Sequence, residues 1–212
     1  MEKTITSIET QKNNPNRLNI YLDDTFAFGI SRFVGAWLAE GKKISTEEIA
    51  QLVSRDAREK AFQKALHFIS YHPRSEYEVL EKLTDLGFSE ELIDEVIAEL
   101  AEKNYINDHQ FAEDWIAARS QSKPRSRKMF TYELRKKNIN DGVIDQALEN
   151  APTDQEMAFR LGEKYMRRYA HLEDKEFNTK MKGVLARRAF PFHVIEDAII
   201  ALLEMKNNLK KE

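Results

Sequence analysis

An internal period of 51 residues constrains this chain more than any other feature. Shifting the sequence by 51 brings Pro73-Arg74-Ser75 onto Pro124-Arg125-Ser126, Leu83 onto Leu134, Ile93 onto Ile144 and Ile97 onto Leu148. A second shift of 51 continues the series at Leu185, Ile195 and Ile199, and Phe88, Ile139 and Phe190 fall in the same register. Ungapped self-similarity at such a spacing is the mark of a repeat architecture, in which each unit buries its apolar stripe against its neighbours. The first helix of each unit aligns less well, and the third unit lacks the Pro-Arg-Ser element.

Each unit reads as helix, Pro-marked turn, short helix, tight turn, helix. Ser75 followed by Glu78 has the spacing of a capping box, in which each side chain satisfies a backbone donor of the other residue. Gly87 then supplies the left-handed residue that ends the short helix, and Phe88 folds back over the last turn. Asn138 stands at the same place in the second unit and tolerates that conformation, whereas Ala189 in the third does not suit it, so a different turn is expected there. Beyond Ser89, the residues Leu92, Ile93, Val96, Ile97 and Leu100 form one apolar helical stripe. Pro152 and the pair Thr153/Glu156 mark the last boundary.

The first 55 residues differ. Ile5 and Ile8 begin a strand that Asn13-Asn14-Pro15-Asn16 breaks, then Leu18, Ile20 and Leu22 alternate with polar residues, and Phe26, Phe28 and Ile30 do so after Asp23-Asp24. This predicts a two- or three-stranded antiparallel sheet with a tight turn at Asp23-Asp24. Two helices follow, over 31–40 (ended by Gly41) and over 45–54, the second opened by the capping pair Ser45/Glu48. The expected class is therefore mainly α: three tandem three-helix repeats in an elongated array, behind a small N-terminal β-hairpin or sheet with two helices. The expected domains are 1–55, 56–105, 106–151 and 152–212, the last including a C-terminal tail.

Several function classes are disfavoured by what is missing. The chain has no cysteine, which removes disulfides, thiolate zinc sites and cysteine nucleophiles and suits a reducing cytosol. His67, His72, His109, His171 and His193 show no metal-ligand spacing, and the seven glycines are scattered singly, so no phosphate loop exists. Asp23-Asp24 reads as turn residues rather than a working carboxylate pair. No catalytic residue, cofactor or metal is expected. The opening residues hold no apolar signal-peptide segment, and no apolar run approaches the ~18 residues that span a bilayer. A soluble, cytoplasmic monomer that binds other macromolecules is the expectation.

Charge distribution points to where binding occurs. The formal net charge is −3, so no global attraction to DNA exists. Residues 57–105 hold six Lys/Arg against eleven Asp/Glu, whereas 119–137 hold eight basic residues and only Glu133 as acid. Ser126 opens a helix whose first turn carries Arg127 and Lys128, where cations oppose the helix dipole. Stability does not explain that placement, and contact with an anionic surface does. Arg135, Lys136 and Lys137 lie on the last turn, where the dipole favours them, so a purely structural role fits them equally. Arg74 and Arg125, at equivalent positions before a cap, either hold the turn by their planar fork or meet a phosphate or carboxylate. With Lys123, Arg187 and Arg188 these ten residues are the candidate partner- or DNA-binding set. Trp37 and Trp115 are expected on apolar helix faces, in the core.

The run Pro73-Arg74-Ser75-Glu76-Tyr77-Glu78-Val79-Leu80, continued by Lys82-Leu83 and Gly87-Phe88-Ser89, is followed by Tyr105-Ile106-Asn107-Asp108, Phe111-Ala112 and Lys123-Pro124-Arg125. In order and spacing these segments resemble the bacterial RecX regulatory family, most strongly over 57–150, and less so over 153–203 and the N-terminal stretch. The resemblance implies three three-helix repeats that bind in the groove of the RecA–DNA filament and inhibit its extension, ATP hydrolysis, strand exchange and coprotease activity. The departures in the third unit are the missing Pro-Arg element and Ala189 in place of Gly. Two other roles fit the residues without the resemblance: a helical DNA-binding regulator with weak nonspecific contact, and an adaptor for an unrelated protein.

Overall fold

The computed structural model describes residues 1–209. Strands β1 (Glu2–Gln11), β2 (Asn14–Leu22), β3 (Thr25–Ser31) and β4 (Lys43–Ser45) form one sheet in the order β3-β2-β1-β4, every neighbouring pair antiparallel. The β2–β3 turn lies at Asp23 (φ 47°) and Asp24 (φ 64°). A two-residue hairpin turn needs positive φ at both positions to match the strand twist, and Asp tolerates that region. The fourth strand is an addition to the expected sheet: Lys43–Ser45 pairs with Glu2–Thr4. Alternation along the strands collects Ile5, Leu18, Ile20, Leu22, Ile30 and Ile44 into one buried cluster.

Two sequence expectations fail here. Residues 31–40 form successive turns rather than a helix, with Gly35 N–H bonded to Ser31 O at 3.0 Å and Leu38 N–H to Gly35 O at 3.0 Å. Phe33, Val34, Trp37 and Leu38 imitate a helical stripe, yet Phe33 is 80% and Trp37 47% exposed. Gly35 packs against Ile30 so closely that a Cβ there would meet its Cδ1 at 2.8 Å. Trp37 is consequently not a core residue on a helix; the Lys42 ammonium lies 3.7 Å from its ring centroid. The helix expected over 45–54 is the first part of α1 (Thr46–Ile69), which runs unbroken for 24 residues. Its capping box forms as expected, Ser45 N–H to Glu48 Oε2 at 2.7 Å and Glu48 N–H to Ser45 Oγ at 3.2 Å, and no Gly or Pro interrupts it before Pro73.

The remaining helices are α2 (Glu76–Asp85), α3 (Glu90–Glu102), α4 (Asp108–Ser122), α5 (Arg127–Arg135), α6 (Asp141–Glu149), α7 (Asp154–Tyr169), α8 (Asp174–Ala186) and α9 (Phe192–Leu209). The period maps onto the core. Leu83, Leu134 and Leu185 are fully buried, as are Val79, Phe130 and Met181 at another triplet of the same period. Ile93, Ile144 and Ile195 follow, and Val96, Ala147 and Ala198 one turn later. The turn between the second and third helix of each unit uses a left-handed residue all three times: Gly87 (φ 80°), Asn138 (φ 57°) and Ala189 (φ 61°). Ala189 thus keeps the turn that its side chain disfavours, because the buried helices on either side fix its path.

The chain divides into two compact units, Met1–His72 with Val79–Tyr105, and Pro73–Glu78 with Ile106 onward. The first holds the sheet, α1 and α3, with α3 packed on α1. In the second, one apolar cluster runs from Phe111 on α4 through Phe130 and Phe177 to Leu202 on α9.

Candidate functional site

The basic stretch 119–137 belongs to the second unit, and its cations meet several different fates. Arg125, between α4 and α5, is 8% exposed. Its Nη1 pairs closely with Glu133, and its Nε donates to Lys123 O at 3.1 Å. Glu133, the only acid of the stretch, also receives Trp115 Nε1–H at 3.1 Å and lies 3.3 Å from Arg119 Nε. The Arg119 guanidinium stacks on Trp115, 3.1 Å from the ring centroid. Burial, then the Arg188 and Arg119 cations, hold the Arg125 guanidinium below its ordinary pKa. A carboxylate surrounded by donors is what allows a guanidinium to be buried at all. Trp115, expected in the core, is partly buried and packs against it.

The polar network continues just past the end of α5. Lys137 Nζ lies 2.6 Å from Glu78 Oε1 and 5.5 Å from the Trp115 ring centroid. Glu78 closes the expected box with Ser75 (Ser75 N–H to Oε2 at 3.2 Å, Glu78 N–H to Ser75 Oγ at 3.2 Å) and lies 3.5 Å from Arg74 Nη1. Burial works against the Glu78 carboxylate, but hydrogen bonds from Lys137 and the Ser75 backbone outweigh it and lower its pKa. Arg135 forms a two-pronged, exposed pair with Asp141 at 2.7 and 3.0 Å. Arg127 places Nη2 on Leu148 O. Arg74, Arg125, Arg127, Arg135 and Lys137 are therefore engaged within the chain.

The joints at the two Pro-Arg-Ser elements share a plan. Ser75 Oγ–H donates to Lys137 O at 3.0 Å, and Ser126 N–H donates to Arg188 O at 3.1 Å, so the contacted carbonyls are themselves 51 residues apart. The N-terminus of α2 presents Glu76 N–H to Asp108 Oδ1 at 2.9 Å, and that of α5 presents Arg127 N–H to Asp154 Oδ1 at 2.7 Å. Asp108 and Asp154 are the first residues of α4 and α7. Each carboxylate satisfies an orphan donor and complements the positive helix end, which offsets the cations on the first turn of α5. In the third unit, where Pro-Arg-Ser is absent, the turn before α8 is held by Lys206 of α9. Its buried Nζ donates to Leu172 O at 2.7 Å and Asp174 Oδ1 at 2.5 Å.

Lys123, Lys128, Lys136 and Arg187 remain exposed, with Lys136 Nζ 4.9 Å from the ring centroid of the exposed Tyr132. Arg188 is partly buried, and its carbonyl serves the joint. The structure adds a group that the charge count missed. Arg160, Lys164, Arg167 and Arg168 of α7 are all exposed, at the i, i+4, i+7 and i+8 spacing of one helix face. Lys164 Nζ reaches Gln121 O, and Ser122 O at 3.0 Å, at the end of α4 beside Lys123. Their spacing was the available signal; counting charge by segment rather than by helix face hid it. Exposed lysines and arginines on such a surface supply point charges and planar forks for anionic groups. Among the described residues no cluster of His, Asp and Glu could hold a metal ion, and no helix is long and apolar enough to cross a membrane.

Comparison with known proteins covers nearly the whole chain. Four family models match in order: the regulatory protein RecX N-terminal domain over residues 3–45, and the RecX first, second and third three-helix domains over 61–100, 107–148 and 153–199. The regulatory protein RecX of Bacillus pumilus is 32% identical over 212 residues, spanning 98% of this chain and 81% of that relative. The one from Bacillus subtilis is 33% identical over 199 residues, spanning 92% and 75%. A crystal structure of a regulatory protein RecX superposes with a TM-score of 0.69 at 28% identity, covering 92% of this chain and 97% of the other. That of RecX from Lactobacillus salivarius gives 0.62 at 30% identity over 70% and 97%.

Proposed function

The chain belongs to the RecX family of regulatory proteins, and from that premise we propose that it binds the RecA recombinase on its DNA filament. There it restrains filament extension, ATP hydrolysis, strand exchange and coprotease activity. It does so as a cytoplasmic monomer, without a cofactor, a metal or a catalytic step of its own. The observation that carries this reading is that the likeness is collinear over the N-terminal sheet and all three helical repeats. Several modest contacts distributed over such repeats give avidity without one tight site.

The exposed cations Lys123, Lys128 and Arg187 are the contacts to test, because changing them leaves the buried pairs intact. Charge reversal at Arg125 or Arg127 confounds binding with unfolding, since both are bonded inside the second unit. In co-sedimentation with RecA filaments on single-stranded DNA, the Lys123→Glu/Lys128→Glu/Arg187→Glu variant keeps its melting temperature and binds about ten-fold more weakly at low salt, at roughly 0.5 kcal/mol per exposed charge. Wild-type sedimentation by a folded triple variant removes this surface from the account.

One observation favours a second reading, a DNA-binding regulator: the exposed basic face of α7. Direct duplex binding whose affinity falls steeply with salt, in the absence of RecA, is the result that would favour it.

A further inference from the structure

An open cleft of about 980 Å³ lies in the first unit, between the end of β3 with the turns after it and one face of α1. Asp56 builds its floor. Only 7% exposed, it accepts Ser31 N–H at 2.6 Å and Arg17 Nη2–H at 2.8 Å, while Arg17 Nη2 also donates to Gly29 O at 2.8 Å. These bonds pin α1 to the edge strand and occupy backbone groups of Gly29 and Ser31. An incoming β-strand therefore finds this stretch of the edge already satisfied.

The rim has three chemistries. Lys60 and Lys64, one turn apart on α1, are exposed and form no ion pair among the described residues. Arg32 donates to neutral acceptors, Pro15 O at 3.3 Å and Thr10 Oγ1 at 3.0 Å, and forms no ion pair among the described residues. Phe33, 80% exposed, presents its ring at the mouth. The amides of Asn14, Asn16 and Gln63 also line the cleft, Gln63 Nε2 donating to Glu59 Oε1 at 3.0 Å, as do Ala36 and His67, whose Nε2 lies 3.2 Å from Tyr71 Oη. Arg17 pairs with Asp56, so that among the described residues Glu59 is the lining's one carboxylate without a cationic partner, against the three unpaired cations Arg32, Lys60 and Lys64.

Cations, an unburied aromatic face and amides around one groove match a polymer of phosphates and flat polar bases. An acidic peptide would answer the cations but would leave the ring and the amides without a matching partner. We propose that this cleft binds single-stranded nucleic acid, with a base stacked on Phe33 and phosphates facing Arg32, Lys60 and Lys64. The site is separate from the RecA-facing surface proposed above and is tested without RecA, so its failure leaves that reading untouched.

The test is fluorescence anisotropy of the full chain with fluorescein-labelled oligothymidylate and oligouridylate, each about 15 nucleotides long. Wild type binds at low salt; Phe33→Ala weakens binding about ten-fold with the salt dependence unchanged, and Phe33→Trp restores it. Lys60→Glu/Lys64→Glu weakens binding and flattens the salt dependence, because two phosphate contacts are lost. Tighter binding of one oligomer identifies DNA or RNA as the natural source. The proposal is overturned if wild type binds neither oligomer, if the folded Phe33→Ala and lysine variants bind like wild type, or if a polyglutamate peptide displaces the oligomer at equal charge concentration.

Discussion

At the scale of single residues, half of the candidate cations that look available in the sequence are committed within the chain: Arg74, Arg125, Arg127, Arg135 and Lys137. Glu133 seems incidental when counted against eight cations, yet it is the acceptor for Trp115, Arg125 and, through an ion pair, Arg119. Glu133→Gln removes the charge that permits Arg125 to be buried. Urea unfolding should show a loss of about 2–4 kcal/mol, below the full value for a deeply buried pair because Glu133 retains some exposure. A change under 0.5 kcal/mol would mean that water, rather than Glu133, satisfies Arg125. Ala189 invites the opposite change. Glycine there relieves left-handed strain of about 1–2 kcal/mol and costs about 0.5–1 kcal/mol in unfolded-state entropy. Ala189→Gly should therefore raise stability slightly, and a lowered melting temperature would contradict the assigned φ. Sequence reasoning singled out the cations of the 119–137 stretch but neither their partners nor the basic face of α7. Pairs such as Lys137 with Glu78 join residues 59 apart, and local periodicity is silent on contacts of that span.

At the scale of elements, the legible parts are those specified locally. The capping boxes at Ser45, Ser75 and Thr153 form as their spacing predicts, and so does the tight turn at Asp23-Asp24. The errors come from tertiary contacts. The helix expected over 45–54 runs on to Ile69, and the buried Asp56 on its course is satisfied by Arg17 from β2, a partner 39 residues away. Residues 31–40 carry a helical stripe, but close packing of Gly35 on Ile30 fixes a turn. The acids at the joints were hidden because Asp108 and Asp154 lie 46 rather than 51 residues apart. Their importance is testable at the helix they cap. Asp154→Ala leaves Arg127 N–H without its acceptor, and should cost about 1 kcal/mol in chemical denaturation. Loss of protection of the Arg127 amide in hydrogen exchange should accompany it; an unchanged exchange rate would show that the joint does not depend on this carboxylate.

At the scale of the whole molecule, the period of 51 residues is what made the repeat architecture readable before any coordinates. Buried positions recur with it in all three units, and the family models follow the same order. Function was less accessible, because repeats of this kind bind through the exposed faces, which the periodicity leaves free to vary. The α7 cations and the cleft beside Asp56 emerged only from the folded chain. The central claim, regulation of RecA, is tested most directly by ATP hydrolysis. RecA on a fixed amount of single-stranded DNA is titrated with this protein, with a heat-denatured sample as control. The account predicts a dose-dependent fall in hydrolysis at substoichiometric ratios, with the denatured protein inert. An unchanged rate across the titration, with the protein folded throughout, would contradict it.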